Sequence, residues 1–552
     1  MRRLSPRRAK LVICCYAFIF FSFGLPALAT TRNVQSYGAT GNGTSDDTSA
    51  IEAAIGALQK GDTLLFPCGT YLVSSSLHMS ISNVTVDGSS CAVVHNASGS
   101  GGAPIMVVGN GGIGSSNSGL GSAIALSGIA TELTTTFSTA SSLGVSAGSY
   151  VYLYQGGIDG SPSSTATSCD TTGCQGEILQ VQSASGNSVT VTTALHDTYN
   201  PSANAAVAQA LISPLTGITL QNITFDGSGS TLDYGVQVNG VVNSTIKGVS
   251  AHNFLGAAIS SNGGFNNSWS NITVSNAGSE NCGAAVNFSH QGNLSVSGMS
   301  ISQLNTGSSS CLGTGGFGFE MATSANGVIS NFTVDATGTI GRPFKLTAAR
   351  YNTFNSLAVK NASGVYNGMS LEYYSSHNIF NSCVVSNNGA GTGSGTGNAG
   401  INSFGNFNQY NTFNNCSVTG NGNVQIYISN YDGLRLGQDI GDQIIGGTYS
   451  GSNSSEPPIL IAGANTSVSG ATIKGPGPQG VNLTAAQSTG ACINNNIFSS
   501  GTGLMAAIVS SSNTNLGSGN TMNGLSSNLQ SGTCGGGNAA PVAPTGLTAS
   551  VE

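Results

Sequence analysis

Charged side chains are scarce in this chain of 552 residues. Asp, Glu, Lys and Arg together make up 6% of it, against roughly 25% in ordinary soluble domains. Basic residues are the scarcer sign, with 14 Lys and Arg against 21 Asp and Glu, and this balance argues against a nucleic-acid partner. There is a single Trp, whereas Gly occurs 80 times and Ser, Thr and Asn are abundant. These residues form helices poorly, so a helical protein is excluded.

Hydrophobic residues still make up 39% of the chain, which is enough for a large core and excludes a disordered polar chain. We therefore predict a mainly β protein. The N-terminal residues 1–29 resemble a secretory signal peptide, with five basic residues, an apolar run over 11–23 and an Ala27-Leu28-Ala29 cleavage site. The alternative is an uncleaved anchor. Cleavage leaves nine basic residues against 21 acidic ones, a net charge of −12. It predicts a secreted or cell-surface protein with no membrane span, because no later segment is long and apolar enough.

Ten Cys residues remain after removal of the signal segment, and an even number in an exported chain favours disulfides. No spacing of Cys or His suggests zinc. In chain order the predicted pairs are Cys68–Cys91, Cys169–Cys174, Cys282–Cys311, Cys383–Cys416 and Cys492–Cys534.

A six-residue pattern, apolar–x–[Asn/Ser/Gly]–apolar–x–apolar, recurs along the chain. The alternation of apolar residues within each copy is typical of a strand. From residue 251 to residue 418, the last residues of successive copies lie 23 to 33 positions apart, which suits the coils of a β-solenoid. Cys383 and Cys416 take the same position in consecutive copies. Stacked strands lie about 4.8 Å apart, so this pair has disulfide geometry. The copies are 246–251, 269–274, 296–301, 329–334, 354–359, 380–385, 413–418 and 468–473.

The repeat is interrupted over residues 119–214, where alternating segments 147–153, 177–182 and 188–195 predict an antiparallel β insertion. We expect a cap and first coils over 30–118 and the main β-helix over 215–534. Residues 535–552 read as a linker and a segment that resembles the first strand of a fibronectin type III module.

The segment 34–55, VQSYGATGNGTSDDTSAIEAAI, is followed by LLFP at 64–67, GTY at 69–71 and VTVDG at 84–88. This series resembles the opening of pectate-lyase-superfamily proteins of the rhamnogalacturonase/epimerase-like group. The resemblance implies a right-handed, single-stranded parallel β-helix with a short capping helix (48–59) that acts on polysaccharides. Lyases, hydrolases, epimerases and phage depolymerases share this opening. Asp46 and Asp47 are expected to cap the helix rather than to act in catalysis. Specific motifs of polygalacturonases and mannuronan epimerases are missing.

The repeat register also aligns outward-facing polar side chains. Each coil has one polar residue fourteen positions before the last residue of its six-residue pattern. An apolar residue directly precedes it, and neighbouring residues of a strand point to opposite faces. These polar side chains should therefore stack on the outer surface. Arg350 and His377 lie five residues further along neighbouring coils. Four of the nine mature basic residues, including Arg342, fall within 19 positions, which suits an anionic sugar. This polar column consists of Ser260, Asn287, Glu320 and Lys345, then, after one deletion, Glu372, Asn402 and Tyr427.

Two reactions fit this column. In the preferred one, β-elimination on a uronate polymer, Arg350 neutralises the substrate carboxylate, with Ca²⁺ held by Glu320 or Glu372 as a further aid. Lys345 then removes the adjacent proton, a Lys-plus-Arg pairing that resembles β-helix polysaccharide lyases. In the other, Glu320 and Glu372, on the order of 9–10 Å apart, hydrolyse a glycosidic bond. The residues predicted to bind the sugar are Asn287, His377, Arg342, Asn402 and Tyr427.

Two non-catalytic interpretations remain open. Glu–Lys–Glu on adjacent strands is also the arrangement of a surface charge ladder. A chain poor in charge and rich in Gly, Asn, Ser and Thr also suits an adhesin or another glycan-binding solenoid. The sequence leaves the glycan and the oligomeric state open.

Overall fold

The computed structural model describes most of the chain beyond the signal-like segment. Several predicted features lie outside the described residues: the signal peptide, Cys169–Cys174, Cys282–Cys311, Cys534 and the fibronectin-like segment. The described residues are 29–97, 103–113, 119–156, 175–228, 234–278, 284–304, 317–337, 342–364, 367–389, 398–404, 408–429, 440–483, 488–499, 504 and 506–532.

The chain forms a right-handed parallel β-helix, as predicted. One set of strands, the first sheet, covers two faces of each coil and is parallel throughout. Its strands are Thr31–Asn33, Asn42–Asp46, Thr63–Leu65, Gly69–Val73, Thr85–Asn96, Thr219–Asp226, Thr245–Lys247, Ser250–His252, Ser268–Ser275, Ser295–Ser302, Val328–Asp335, Thr353–Lys360, Ile379–Asn381, Val384–Ser386, Thr412–Asn414, Ser417–Thr419, Gln443–Ile445, Thr448–Ser450, Ser467–Ser469, Thr472–Lys474, Cys492–Asn494, Ile497–Phe498, Leu516–Ser518 and Gln530–Ser531.

The second sheet closes the coils and carries the polar column. Its strands are Leu77–Met79, Pro104–Val108, Leu215–Thr216, Tyr234–Asn239, Val241–Val242, Ile259–Phe265, Ala284–Gly292, Phe317–Ala322, Arg342–Thr347, Met369–Glu372, Ile401–Phe404, Ile426–Ile428, Ile459–Ile461, Gln479–Leu483, Ala506–Ser510 and Ser526–Ser527.

The repeat pattern explains the shape of each coil. Its apolar positions point inward, as Trp269, Ile272 and Val274 do with no exposed surface. Its third position bends the chain between two faces of the first sheet and has a left-handed backbone, with φ of 53° at Asn271 and 52° at Asn331. Asn and Gly tolerate this conformation better than other residues, which accounts for the composition of the pattern.

Stacking of like residues continues inside the coils. The rings of Phe354, Phe380 and Phe413 stack with centroids 4.9 and 5.1 Å apart. The disulfides Cys68–Cys91 and Cys383–Cys416 are both present, as predicted, with Cα atoms 4.8 and 4.4 Å apart.

The N-terminal cap has a 3-10 turn, Val34–Tyr37, and a helix, α1, Thr48–Gly56, that ends three residues earlier than expected. Only one of the two aspartates caps it: Asp46 accepts from the backbone N–H of Thr48 at 3.0 Å. The buried Asp47 instead accepts from the N–H groups of Thr40 and Gly41, at 2.6 and 3.1 Å. The expectation that both carboxylates cap the helix is therefore wrong for Asp47, which holds the preceding turn.

The insertion is an antiparallel sheet with a core of its own. A second apolar cluster, in which Tyr150 and Tyr152 meet Phe265, joins it to the second sheet of the β-helix. The helix Pro201–Asn204 (α2) precedes its last strand. Among the described residues no helix is long and apolar enough to cross a membrane. The strands of the insertion are Ile124–Ala125, Thr136–Ser138, Tyr150–Gln155, Gln175–Ser185, Ser188–Val191 and Val207–Ala210.

Candidate functional site

Six of the seven predicted members of the polar column stack in one register, and the exception is Glu372. Ser260 pairs with Asn287, Asn287 with Glu320, and Glu320 with Lys345. The next partner of Lys345 is Ser370, and the column continues to Asn402 and Tyr427; Glu372 pairs with Thr347 instead. The predicted deletion is wrong, because the coil between these strands is longer, not shorter, by one residue.

Side-chain length nevertheless brings Glu372 back to the column. Lys345 Nζ lies 3.3 Å from both Glu320 Oε1 and Glu372 Oε2, so these two oxygens are at most 6.6 Å apart and closer than the strand spacing suggested. Arg342 Nη1 lies 2.9 Å from Glu372 Oε1, and Asn287 donates to Glu320 Oε2 at 3.2 Å. We call these five residues the ion-pair cluster.

The ion-pair cluster is poorly accessible. The side chains of Lys345 and Glu372 are 9% and 4% exposed, and that of Glu320 is 19% exposed. The two carboxylates beside the Lys345 ammonium group stabilise its protonated form, whereas a general base has to be unprotonated before it can accept a proton from the substrate. The contacts are those expected of a charge ladder, and the catalytic roles of Lys345, Glu320 and Glu372 stay predictions.

The same contacts bear on the predicted Ca²⁺. Glu320 and Glu372 both face a cationic side chain, and within the described ranges no three His, Cys, Asp or Glu side chains are arranged to hold a metal. These residues do not fit a calcium site, and no step is derived through one.

Arg350 lies apart from the ion-pair cluster and joins the β-helix to the insertion. It is 1% exposed. Its Nε lies 3.1 Å from Asp197 Oδ2, and its Nη2 donates to the carbonyl of Gly176 at 2.7 Å. Both partners belong to the insertion, so the guanidinium that was expected to meet a substrate carboxylate is occupied by the protein.

A polar cleft of about 230 Å³ opens beside this contact. His377 lies in it, so two of the predicted site residues, Arg350 and His377, do share one site. The insertion and the β-helix both contribute to the lining of the cleft. The insertion supplies Glu132, Gln155, Gln175, His196, Asp197, Thr198 and Asn204, and the β-helix supplies Arg350, Tyr374, Ser376, His377 and Gln409.

Two carboxyl groups of the cleft differ in environment. Burial raises the pKa of Asp197 to about 7, with Glu177 and Glu132 adding to the rise and Arg350 opposing it. Its Oδ1 accepts from Gln175 Nε2 at 2.8 Å. Glu132 accepts a hydrogen bond from the hydroxyl of Tyr351. A carboxyl group that keeps its proton near neutral pH beside a second carboxylate is a typical acid–base pair.

Aromatic and imidazole rings hold this pair in place. The rings of Tyr351 and His377 stack with centroids 4.4 Å apart, and His196 approaches Tyr351 at 5.2 Å. His196 Nδ1 is 2.7 Å from Glu177 Oε2, and Tyr199 donates to the other oxygen of Glu177 at 3.0 Å. The cleft thus holds several titratable groups in a chain where such groups are rare.

Sequence reasoning missed the insertion's contribution. Glu132, Glu177, His196 and Asp197 lie outside the repeat, so no register relates them to Arg350. One signal was available: the insertion has five acidic residues and no Lys or Arg, and three of the five, Glu132, Glu177 and Asp197, belong to this site.

Comparisons with known proteins agree with this fold. Residues 31–287 match the profile of the family described as rhamnogalacturonase A/epimerase, pectate lyase-like. The tailspike protein gp49 from Pseudomonas phage LKA1 superposes with a TM-score of 0.56 at 14% identity, over 91% of this chain and 83% of that one. The tailspike gp61 of Pseudomonas phage phi297 gives 0.51 at 13% identity, over 85% and 80%. No curated protein matches the sequence.

These findings define a class of protein, the parallel β-helix proteins with stacked coils and a polar outer face. Within that class, the part of the chain over residues 31–287 is similar to the rhamnogalacturonase A/epimerase, pectate lyase-like family, which agrees with the resemblance of the opening segment.

Proposed function

We propose that this protein is an exported, polysaccharide-cleaving enzyme and that it hydrolyses a glycosidic bond in the cleft between the insertion and the β-helix. The observation that carries the proposal is the pair Asp197 and Glu132 in one polar cleft, with the pKa of Asp197 raised to about 7. The family match supports a polysaccharide substrate. The signal-like segment supports export.

The two carboxyl groups have complementary roles in this reaction. Asp197, in the protonated form that its raised pKa of about 7 keeps available near neutral pH, donates its proton to the glycosidic oxygen as the bond from that oxygen to the anomeric carbon breaks. Glu132 accepts a proton from the water that adds to the anomeric carbon, so atoms and charge balance. Arg350 and Gln175 hold the Asp197 carboxyl in position.

The size of the cleft suits a polymer rather than a small ligand. Its volume of about 230 Å³ is below the roughly 300–1,000 Å³ of pockets that enclose a whole drug-sized molecule. A glycan would place one part of its length here and lie against the outer face elsewhere.

The test is release of reducing ends from a panel of polysaccharides by the full mature chain. Asp197→Asn and Glu132→Gln should each lower kcat by about 10²–10⁴-fold, whereas Asp335→Asn, in an exposed ion pair on the first sheet, should leave it unchanged. The wild-type rate should fall as the pH rises through about 7, because Asp197 then loses the proton it donates. Equal rates for Asp197→Asn and wild type would contradict the proposal.

β-Elimination at the ion-pair cluster is a second candidate. It is favoured by two cations over one ring: Lys345 Nζ and the Arg342 guanidinium lie 5.3 and 5.8 Å from the Phe317 centroid. Elimination creates an unsaturated uronate that absorbs ultraviolet light, whereas hydrolysis does not. Rising absorbance that is lost in Lys345→Ala but kept in Asp197→Asn would favour this candidate over hydrolysis in the cleft.

A further inference from the structure

The charges around the cleft are mostly negative. Glu132 and Asp197 line it, and Glu177 lies behind them, buried to 1% exposure. The one guanidinium, Arg350, is 1% exposed, with Asp197 and the Gly176 carbonyl on its Nε and Nη2. Three carboxyl groups therefore surround a cation that is directed at the protein.

Two imidazole rings also line the cleft. Burial, together with the neighbouring His196, lowers the pKa of His377 to about 4, so its ring is uncharged at neutral pH. His196 directs its Nδ1 at Glu177, 2.7 Å away, so that nitrogen faces the protein rather than a ligand.

We propose that the sugar residue seated in this cleft carries no carboxylate and that the substrate is an uncharged glycan rather than a polyuronide. The inference rests on the proposed hydrolysis in the cleft. A uronate placed beside Glu132 would meet a like charge, because Arg350, the one arginine among the described residues that line the cleft, is 1% exposed and directed at the protein.

An uncharged sugar meets suitable partners there. Its hydroxyl groups can donate to the carboxylate of Glu132 and pair with the hydroxyl of Ser376, and the ring of Tyr374 also lines the cleft. This differs from the uronate polymer that the cluster of basic residues in the sequence suggested, because Lys345 and Arg342 are paired with Glu320 and Glu372, and Arg350 is buried against the insertion.

The test compares substrates that differ in charge alone. The mature full-length chain is incubated with pectate and with carboxyl-reduced pectate, and with a panel of neutral galactans, mannans, glucans and arabinans beside alginate and glucuronan. Binding is measured on a glycan array carrying the same compounds, at about 50 and 500 mM NaCl. We expect binding and cleavage within the neutral set, at rates that change less than about twofold with salt, because no ion pair to the ligand is screened.

A second measurement uses the charge of the cleft itself. Glu132→Gln removes a negative charge and should raise the affinity for oligogalacturonate at least about fivefold by calorimetry, with Asp335→Asn as the unaffected control. Tighter binding or faster cleavage of any polyuronide than of every neutral glycan overturns the inference and leaves the proposed hydrolysis standing. Failure to bind or cleave either set overturns both.

Discussion

Asp442 is a buried carboxyl group that should make the stability of the β-helix depend on pH. It ends an interior ladder in which Asn352 N–H donates to Asn378 Oδ1, Asn378 N–H to Asn411 Oδ1, and Asn411 N–H to Asp442 Oδ1 at 2.7 Å. Asp442 has no exposed surface, and burial raises its pKa to about 7 despite the hydrogen bonds from Asn411.

The size of the effect follows from the difference between the two states. In the unfolded chain the pKa of an Asp is about 3.9. Between about pH 4 and pH 7 the unfolded state loses the proton that the folded state keeps, so the folded state loses stability as pH rises. A difference of about three pKa units amounts to about 4 kcal/mol, reached near pH 8 and absent below about pH 4.

Asp442→Asn removes this titration and keeps an acceptor for the Asn411 N–H. The free energy of unfolding, from urea titrations followed by circular dichroism at pH 4 to 8, should be similar for variant and wild type at pH 4. It should favour the variant progressively above that. Asp335→Asn is the control: the pKa of Asp335 is lowered by Thr337 and Asn361 against the effect of burial, so its contribution is already constant above pH 5. Parallel curves for Asp442→Asn and wild type would refute the reasoning.

Three further changes test the structural contacts. Lys345→Met leaves Glu320 and Glu372 without their shared cation and should cost roughly 3–5 kcal/mol of unfolding free energy. Lys360→Met, whose ion pair is exposed, should cost at most about 1 kcal/mol. Equal costs would show that the ion-pair cluster is not buried in solution. Asn378→Ala should cost more than about 2 kcal/mol, since its side chain bonds to the coils on both sides, to Asn352 and Ala349 on one and to Asn411 on the other. Asn414→Ala, whose partly buried side chain donates to Asn381, should cost about 1 kcal/mol or less; thermal unfolding of the two variants compares them. Cys383→Ser opens a link between residues 33 positions apart and should lower stability by roughly 3–4 kcal/mol, an effect that disappears when wild type is reduced.

Much of the fold could be predicted because each coil repeats the same local rules. Apolar residues at fixed positions, an Asn or Gly where the backbone turns left-handed, and Cys383 above Cys416 all follow from stacking one coil on the next at the strand spacing. The first four members of the polar column follow from the same register. The error at Glu372 arose because one coil differs in length from its neighbours. Only the hydrogen bonds between strands show that Lys345 pairs with Ser370, two residues before Glu372.

The chemistry of the site depended on contacts between parts of the chain that share no period. The sequence by itself determined the β-helix, its inward and outward faces and the scarcity of charge. Only the tertiary structure decided that Arg350 holds the insertion through Asp197, that Lys345 lies between two carboxylates, and that Glu132 and Asp197 share a cleft. The physical reason is that repeat register specifies neighbours within the solenoid, whereas the docking of a non-repeating insertion depends on the burial of particular side chains such as Tyr150, Tyr152 and Arg350.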